Sequence, residues 1–209
     1  MIIPDKDCAL CPRLKAFRDD NRAKFPDKFN APVPGWGPMD AQLLIVGLAP
    51  GLKGANFSGR PFTGDYAGDL LYSTLIQYGF ATGEFKARPD DGLTLVNCRI
   101  SNAVKCVPPE NKPTGEETKT CQKFIDSELA DMKQLKIILS LGKISHDTVL
   151  RMFGHKLSAF KFAHQATHDL GNGLWLVDSY HCSRYNTQTG RLTEAMFHDV
   201  FDEIERLRA

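Results

Sequence analysis

Asp65, Asn102 and His181 have side chains whose types can do chemistry. A carboxylate and an imidazole can take or give a proton, and an amide can both donate and accept hydrogen bonds. Asp65 closes a stretch that holds Gly47, Gly51, Gly54, Gly59 and Gly64, with Asn56, Arg60, Phe62 and Thr63 between them. An aromatic, an amide, a cation and a carboxylate in one loop suit a site that holds a flat polar ring near a phosphate. This is neither a Walker loop nor a dinucleotide fingerprint, since Gly47-Leu-Ala-Pro50-Gly51 puts proline where those turns need free N–H groups. Each residue also has a plainer reading: Asp65 as a helix cap, Asn102 as a turn former, His181 as a structural histidine. Their convergence favours chemistry.

The cysteines form a second constellation. Cys8 and Cys11 have ligand spacing, and Cys106 and Cys121 flank the proline-rich loop from Val107 to Pro113. Four such thiolates suit zinc and an iron–sulfur cluster equally, and spacing does not choose between them. Cys98 reads as core, and Cys182 stands beside His181. The bland alternative is a set of unrelated free thiols.

The elements that position these residues follow from periodicity. Leu43 onward is a strand buried on both faces, and it leads through the glycine-rich turn into helical spacing at Leu70, Leu71, Leu75 and Tyr78. Further strands are expected at Thr94–Cys98, Lys136–Leu141 and Leu174–Tyr180. A helix with Leu14, Phe17, Asn21 and Phe25 on one side precedes a packed proline- and glycine-rich loop over residues 26–40. Thr114 and Glu117 make a capping box for a helix whose apolar face is Cys121, Phe124, Ile125 and Leu129. Ser145–Phe153 is another helix, and Thr193 opens the last, with Phe197, Val200, Phe201 and Ile204 on one face. Strands alternating with helices predict an α/β fold, a three-layer α/β/α arrangement around a central four-stranded, mainly parallel sheet. Ligands of such sheets bind beyond the carboxyl ends of the strands. The stretches after the strands, Gly47–Asp65, Ser101–Lys105 and His181–Asn186, should therefore bring Asp65, Asn102 and His181 to one crevice.

The bulk composition narrows the function classes. The 209 residues fit one domain, and 42% hydrophobic with 24% charged residues is ordinary for a globular protein. A net charge of +1 excludes a generally basic, DNA-coating protein. Lys53, Arg60, Lys105, Lys143, Arg184 and Arg191 are the cations expected around the strand ends. The opening Met1-Ile-Ile-Pro4 lacks secretory character, and no apolar run approaches the roughly eighteen residues of a membrane span. The expectation is a cytoplasmic protein with no membrane partner.

Read together, Cys8-x₂-Cys11, Gly47-Leu-Ala-Pro50-Gly51, the run from Gly59 to Asp65, the run from Asn102 to Pro113, Cys121, His181-x-Ser183 and the run from Asn186 to Leu192 resemble the bacterial and archaeal iron–sulfur uracil-DNA glycosylases. The similarity spans nearly the whole chain, and an apolar Leu48 makes it most similar to the type-B (family 5) branch, where family 4 is acidic. The resemblance implies one uracil-DNA glycosylase-like domain over residues 1–209, with an N-terminal cluster-binding segment. It implies a repair enzyme that flips uracil, and in this branch hypoxanthine or etheno-bases, out of double- or single-stranded DNA and hydrolyses the N-glycosidic bond. In it Asp65 positions the water and His181 stabilises the leaving base. Phe62 stacks on the base and Asn102 bonds its edge, with Gly47, Asn56, Ser183 and Arg184 also contacting substrate. Ser183, Arg184 and Tyr185 belong to the loop that enters the duplex. Cys8, Cys11, Cys106 and Cys121 hold a structural 4Fe-4S cluster, with zinc as the alternative. Asp65 at a helix N-terminus would be kept ionised by the helix dipole. Two departures stand out: Cys182 replaces the family's usual proline, and Gly51 and Leu52 stand where that branch has small alanines. A non-catalytic module that binds damaged or single-stranded DNA is the alternative from another function class.

Overall fold

Leu43–Gly47 is apolar on both faces, so it is stable only where helices cover it on both sides and strands flank both edges. The computed structural model, which describes residues 1–208, puts it there. In chain order the elements are α1 (Pro12–Lys24), β1 (Leu43–Gly47), α2 (Ala55–Ser58), α3 (Tyr66–Gln77), β2 (Ala81–Thr82), β3 (Thr94–Leu95), β4 (Cys98–Asn102), α4 (Gly115–Asp131), β5 (Ile137–Leu141), α5 (Lys143–Met152), β6 (Thr167–Asp169), β7 (Trp175–Ser179), α6 (Arg184–Gln188) and α7 (Glu194–Arg208). The main sheet runs β4-β1-β5-β7-β6, parallel except for β6, while β2 and β3 pair by themselves.

Strand alternation sends side chains into two cores. Leu43, Ile45, Leu139 and Val177 pack with Leu71, Leu75, Phe197 and Phe201 from α3 and α7. Leu44, Val46, Ile138 and Leu176 pack with Ile125, Val149 and Leu150 from α4 and α5. The three-layer arrangement is as expected, and the capping box at Thr114 and Glu117 is present in both halves. No described helix is long and apolar enough to cross a membrane.

Two expectations need correction. The sheet has five strands, because Thr167–Asp169 adds an antiparallel edge. The strand expected at residues 94–98 is also displaced. Thr94–Leu95 belongs to the small sheet, and Cys98–Asn102 is the strand beside β1. Its polar side chains hid it. Arg99 and Ser101 are buried there because Glu128 of α4 accepts from Arg99 Nε at 2.6 Å and from Ser101 Oγ at 2.7 Å.

Candidate active site

Register does the first positioning. Gly47 pairs with Asn102 across β1 and β4, and the ladder continues as Ala103 and Val104 donate to the carbonyls of Gly47 and Leu48. The Asn102 side chain and the Phe62 ring close over Gly47. A methyl group added at Gly47 would collide with Asn102 Oδ1 and with the Phe62 ring. Residue 47 is therefore glycine because two neighbours occupy the space of a side chain. Gly54 does the same for Asp65, since a methyl group there would meet the Asp65 carboxylate.

The third wall follows β7. The buried Cys182 turns into the core, while half-buried His181 lines the cleft. Asn186 Nδ2 donates to the His181 carbonyl at 2.8 Å and fixes that turn. Ser183 caps α6 by accepting from the Asn186 amide at 3.4 Å. The resulting cleft of about 650 Å³ is lined by Phe62, Asp65, Asn102, His181, Ser183 and Arg184 among others. The Phe62 and His181 rings stand 5.9 Å apart between centroids, tilted by 31°.

Asp65 occupies the N-cap position of α3, yet its side chain makes no capping hydrogen bond. Burial pushes its carboxyl above the usual range; the nearby amides of Gly68 and Ala67 oppose this, and the like charge of Asp69 adds to it. Oδ1 is buried with no partner among the described residues. Desolvation, the largest influence, thus outweighs the pull of the helix N-terminus expected to favour the ionised form. The plain capping role is not built either. Burial lowers His181 to about 4, so its imidazole is neutral at neutral pH and keeps an N–H to donate.

Several expected contacts lie elsewhere. Asn56 is buried and donates to Asn30 Oδ1 at 2.8 Å, so it braces the loop from behind and does not line the cleft. Arg60 and Lys105 are unavailable to phosphate, since they are buried against Asp91 and Glu128. Lys53 and Arg184 are the cations that line the cleft, and the Arg184 guanidinium lies 5.2 Å from the Tyr66 ring centroid. Tyr185, at 71% exposure, projects beside them. Asn111 also lines the cleft, at a φ of 56°. Sequence reading passed over it, although a loop tethered at Cys106 and Cys121 was the available signal.

Cys8, Cys11, Cys106 and Cys121 line one small cavity. Burial pushes the Cys11 thiol up to about 11 and the Cys106 thiol up to about 12, so thiolates there need a nearby cation such as a metal. Arg18, 1% exposed, donates to Cys106 Sγ at 3.4 Å and to the Cys8 carbonyl at 2.7 Å, and its Nε is buried without a partner among the described residues. The Lys105 amide donates to Cys121 Sγ at 3.3 Å. A buried cation and an amide aimed at sulfur fit a thiolate-bound, negatively charged metal group. The other titratable cluster, His146, His168 and Asp178, is closed on itself. Asp178 takes contacts from His146 Nδ1 at 2.8 Å and His168 Nε2 at 3.0 Å, and the second nitrogen of His146 meets the Phe160 carbonyl.

Comparison with known proteins now decides the lineage. Residues 34–205 match the family model described as the uracil DNA glycosylase superfamily. The chain belongs to that superfamily. A protein of Thermus thermophilus named type-5 uracil-DNA glycosylase is 43% identical over 205 residues, covering 96% of this chain and 93% of its own. One of the same name from Mycobacterium tuberculosis is 38% identical over 208 residues, covering 96% and 78%. A type-4 uracil-DNA glycosylase of Pyrobaculum aerophilum is 34% identical over only 152 residues, 72% of this chain and 63% of its own. Within the uracil DNA glycosylase superfamily, the likeness is to the type-5 members, as Leu48 led us to expect.

Proposed function

We propose that this chain is a monofunctional DNA-repair glycosylase that hydrolyses the N-glycosidic bond of uracil in DNA and leaves an abasic site. The observation that carries this reading is the meeting of Asp65, Asn102, His181 and Phe62 in one cleft of a member of that superfamily. Glycosidic cleavage develops positive charge on the sugar and negative charge on the base, and preorganised groups at those two places lower the barrier. Asp65 faces the sugar, where its ionised form orients water and offsets the positive charge. His181, neutral through burial, donates an N–H to the base as its charge grows. Asn102 bonds the base edge and Phe62 covers its face. A flipped base costs a few kcal/mol to extrude, which stacking of about 1–3 kcal/mol per base helps offset. Arg184 and Tyr185 fill the hole left in a duplex.

The reading extends to a single domain that acts as a monomer on double- or single-stranded DNA, with hypoxanthine and etheno-bases as further substrates. Cys8, Cys11, Cys106 and Cys121 would hold a 4Fe-4S cluster. When bound it supplies a rigid, structural cross-link between the N-terminus and the 106–121 segment. A role confined to DNA binding has no observation in its favour. The test is incubation with duplexes carrying uracil, hypoxanthine or ethenocytosine, followed by alkali. Strand scission at uracil is expected, and unbroken strands with all three bases would refute the proposal.

A further inference from the structure

The loop that carries Phe62 and Asp65 holds a backbone its residues do not favour. Phe62 sits at a φ of 50°, in the left-handed region that a bulky side chain avoids unless its surroundings enforce it. Arg60 supplies the enforcement. Its Nε donates to Thr63 Oγ1 at 2.7 Å, and its two terminal nitrogens donate in parallel to the Asp91 carboxylate at 2.8 and 2.7 Å. The guanidinium lies 4.8 Å from the Trp36 ring centroid, 5.6 Å from Tyr72 and 5.8 Å from Phe85. The Arg60 side chain is 5% exposed and that of Asp91 0%. Tyr72 adds a hydrogen bond from its hydroxyl to the Pro61 carbonyl at 2.5 Å.

Asp91 is anchored in turn. Its carboxylate accepts from the Lys86 amide at 3.0 Å and the Leu93 amide at 3.1 Å, which fixes it to the segment between β2 and β3. A guanidinium gripped bidentately, stacked on aromatics and bonded to the loop at Thr63 holds position and orientation together, as a lysine ammonium would not.

We propose that Arg60 and Asp91 form a positioning latch for the reaction. Neither lines the cleft, and both act through Phe62 and Asp65. The latch fixes the face on which the base stacks and, two residues beyond Thr63, the carboxylate that holds the water. This inference rests on the roles proposed above for Phe62 and Asp65. It also accounts for the arginine that the loop spends on a buried ion pair instead of on phosphate.

The experiment compares Asp91→Asn, the apolar pair Arg60→Met with Asp91→Leu, and Asp65→Asn as reference. Breaking one side of a buried ion pair can destabilise the fold, whereas replacing both partners by apolar residues of similar bulk often does not. Each protein is measured for melting temperature, binding to an uncleavable uracil-containing duplex, and single-turnover excision per folded molecule at saturating enzyme. Misplacement of reacting groups by an ångström costs on the order of 100-fold in rate. The expected result is a rate loss of that order in Asp91→Asn and in the apolar pair, with duplex binding weakened far less than the rate and, in the pair, a nearly unchanged melting temperature. Either folded variant excising at the wild-type rate overturns the latch. If Asp65→Asn also retains the wild-type rate, the reading of the site fails with it; if only Asp65→Asn is inactive, the latch alone fails.

Discussion

Replacing Asp65 by Asn should slow the enzyme and stabilise it. The carboxylate is half-buried, its Oδ1 has no partner among the described residues, and it makes no capping bond on α3. Asparagine keeps a polar atom in that place but carries no charge, so the variant removes the desolvation penalty of the carboxylate, about 1 kcal/mol for a partly exposed group. Relief of about 1 kcal/mol raises the melting temperature by about 2–4 °C in a chain of this size. The sign depends on pH. Burial raises the carboxyl's pKa in the fold, so the folded state favours the neutral form. The stability gap between variant and wild type is therefore absent below the unfolded value of about 4, opens as pH rises towards the raised folded value, and is full above it. Chemistry moves oppositely. Loss of a positioned acid–base group costs about 100- to 10,000-fold in rate. The wild-type rate should also fall as pH drops through the raised carboxyl pKa, a limb the variant lacks. His181, at about 4, adds no fall around neutral pH. The assays are scanning calorimetry from pH 4 to 8 and single-turnover excision on a uracil duplex over the same range, which isolates chemistry from binding and release. A variant that melts lower and excises at the wild-type rate would make Asp65 a helix cap and refute the reasoning.

Gly47→Ala should cost at least tenfold in single-turnover rate and weaken binding of a uracil duplex, because its methyl displaces Asn102 and Phe62, the groups that hold the base; an unaffected rate would show that neither side chain needs its present place. Replacing Arg184 and Tyr185 by Ala should reduce excision from double strands several-fold more than from single strands, where no hole needs filling, and equal losses in a side-by-side assay would count against duplex entry. Cys106→Ser should remove broad visible absorbance and bound iron and lower the melting temperature; a colourless wild-type protein with one equivalent of zinc and full activity would replace the iron–sulfur reading.

Much of this was legible in the sequence because the signals were local. The apolar run at Leu43 and the capping box at Thr114 declare their elements. A parallel sheet then carries Asp65, Asn102 and His181 to one end whatever the details. What escaped depends on partners distant in sequence. Arg60 looks like a phosphate ligand until Asp91, 31 residues on, is seen to hold it. Lys105 looks the same until Glu128, 23 residues on, is seen beside it. Arg99 and Ser101 hid the strand beside β1 and shifted its expected place to residues 94–98, because pattern reading expects apolar residues at buried positions. Asn56 shares that cause, since its partner Asn30 comes from the preceding loop. The surroundings of Asp65 are illegible for a different reason: the N-cap position says nothing of the burial that the turn around Gly54 gives the carboxylate.

The central claim is hydrolytic removal of a base, and product analysis tests it most directly. Wild-type protein is incubated with a uracil duplex in water labelled with heavy oxygen, and the products are weighed by mass spectrometry before any alkali is added. The account predicts free uracil, an unbroken strand, and one labelled oxygen at the abasic sugar's anomeric carbon. A strand that keeps its uracil, or one already cleaved without taking up label, would contradict it.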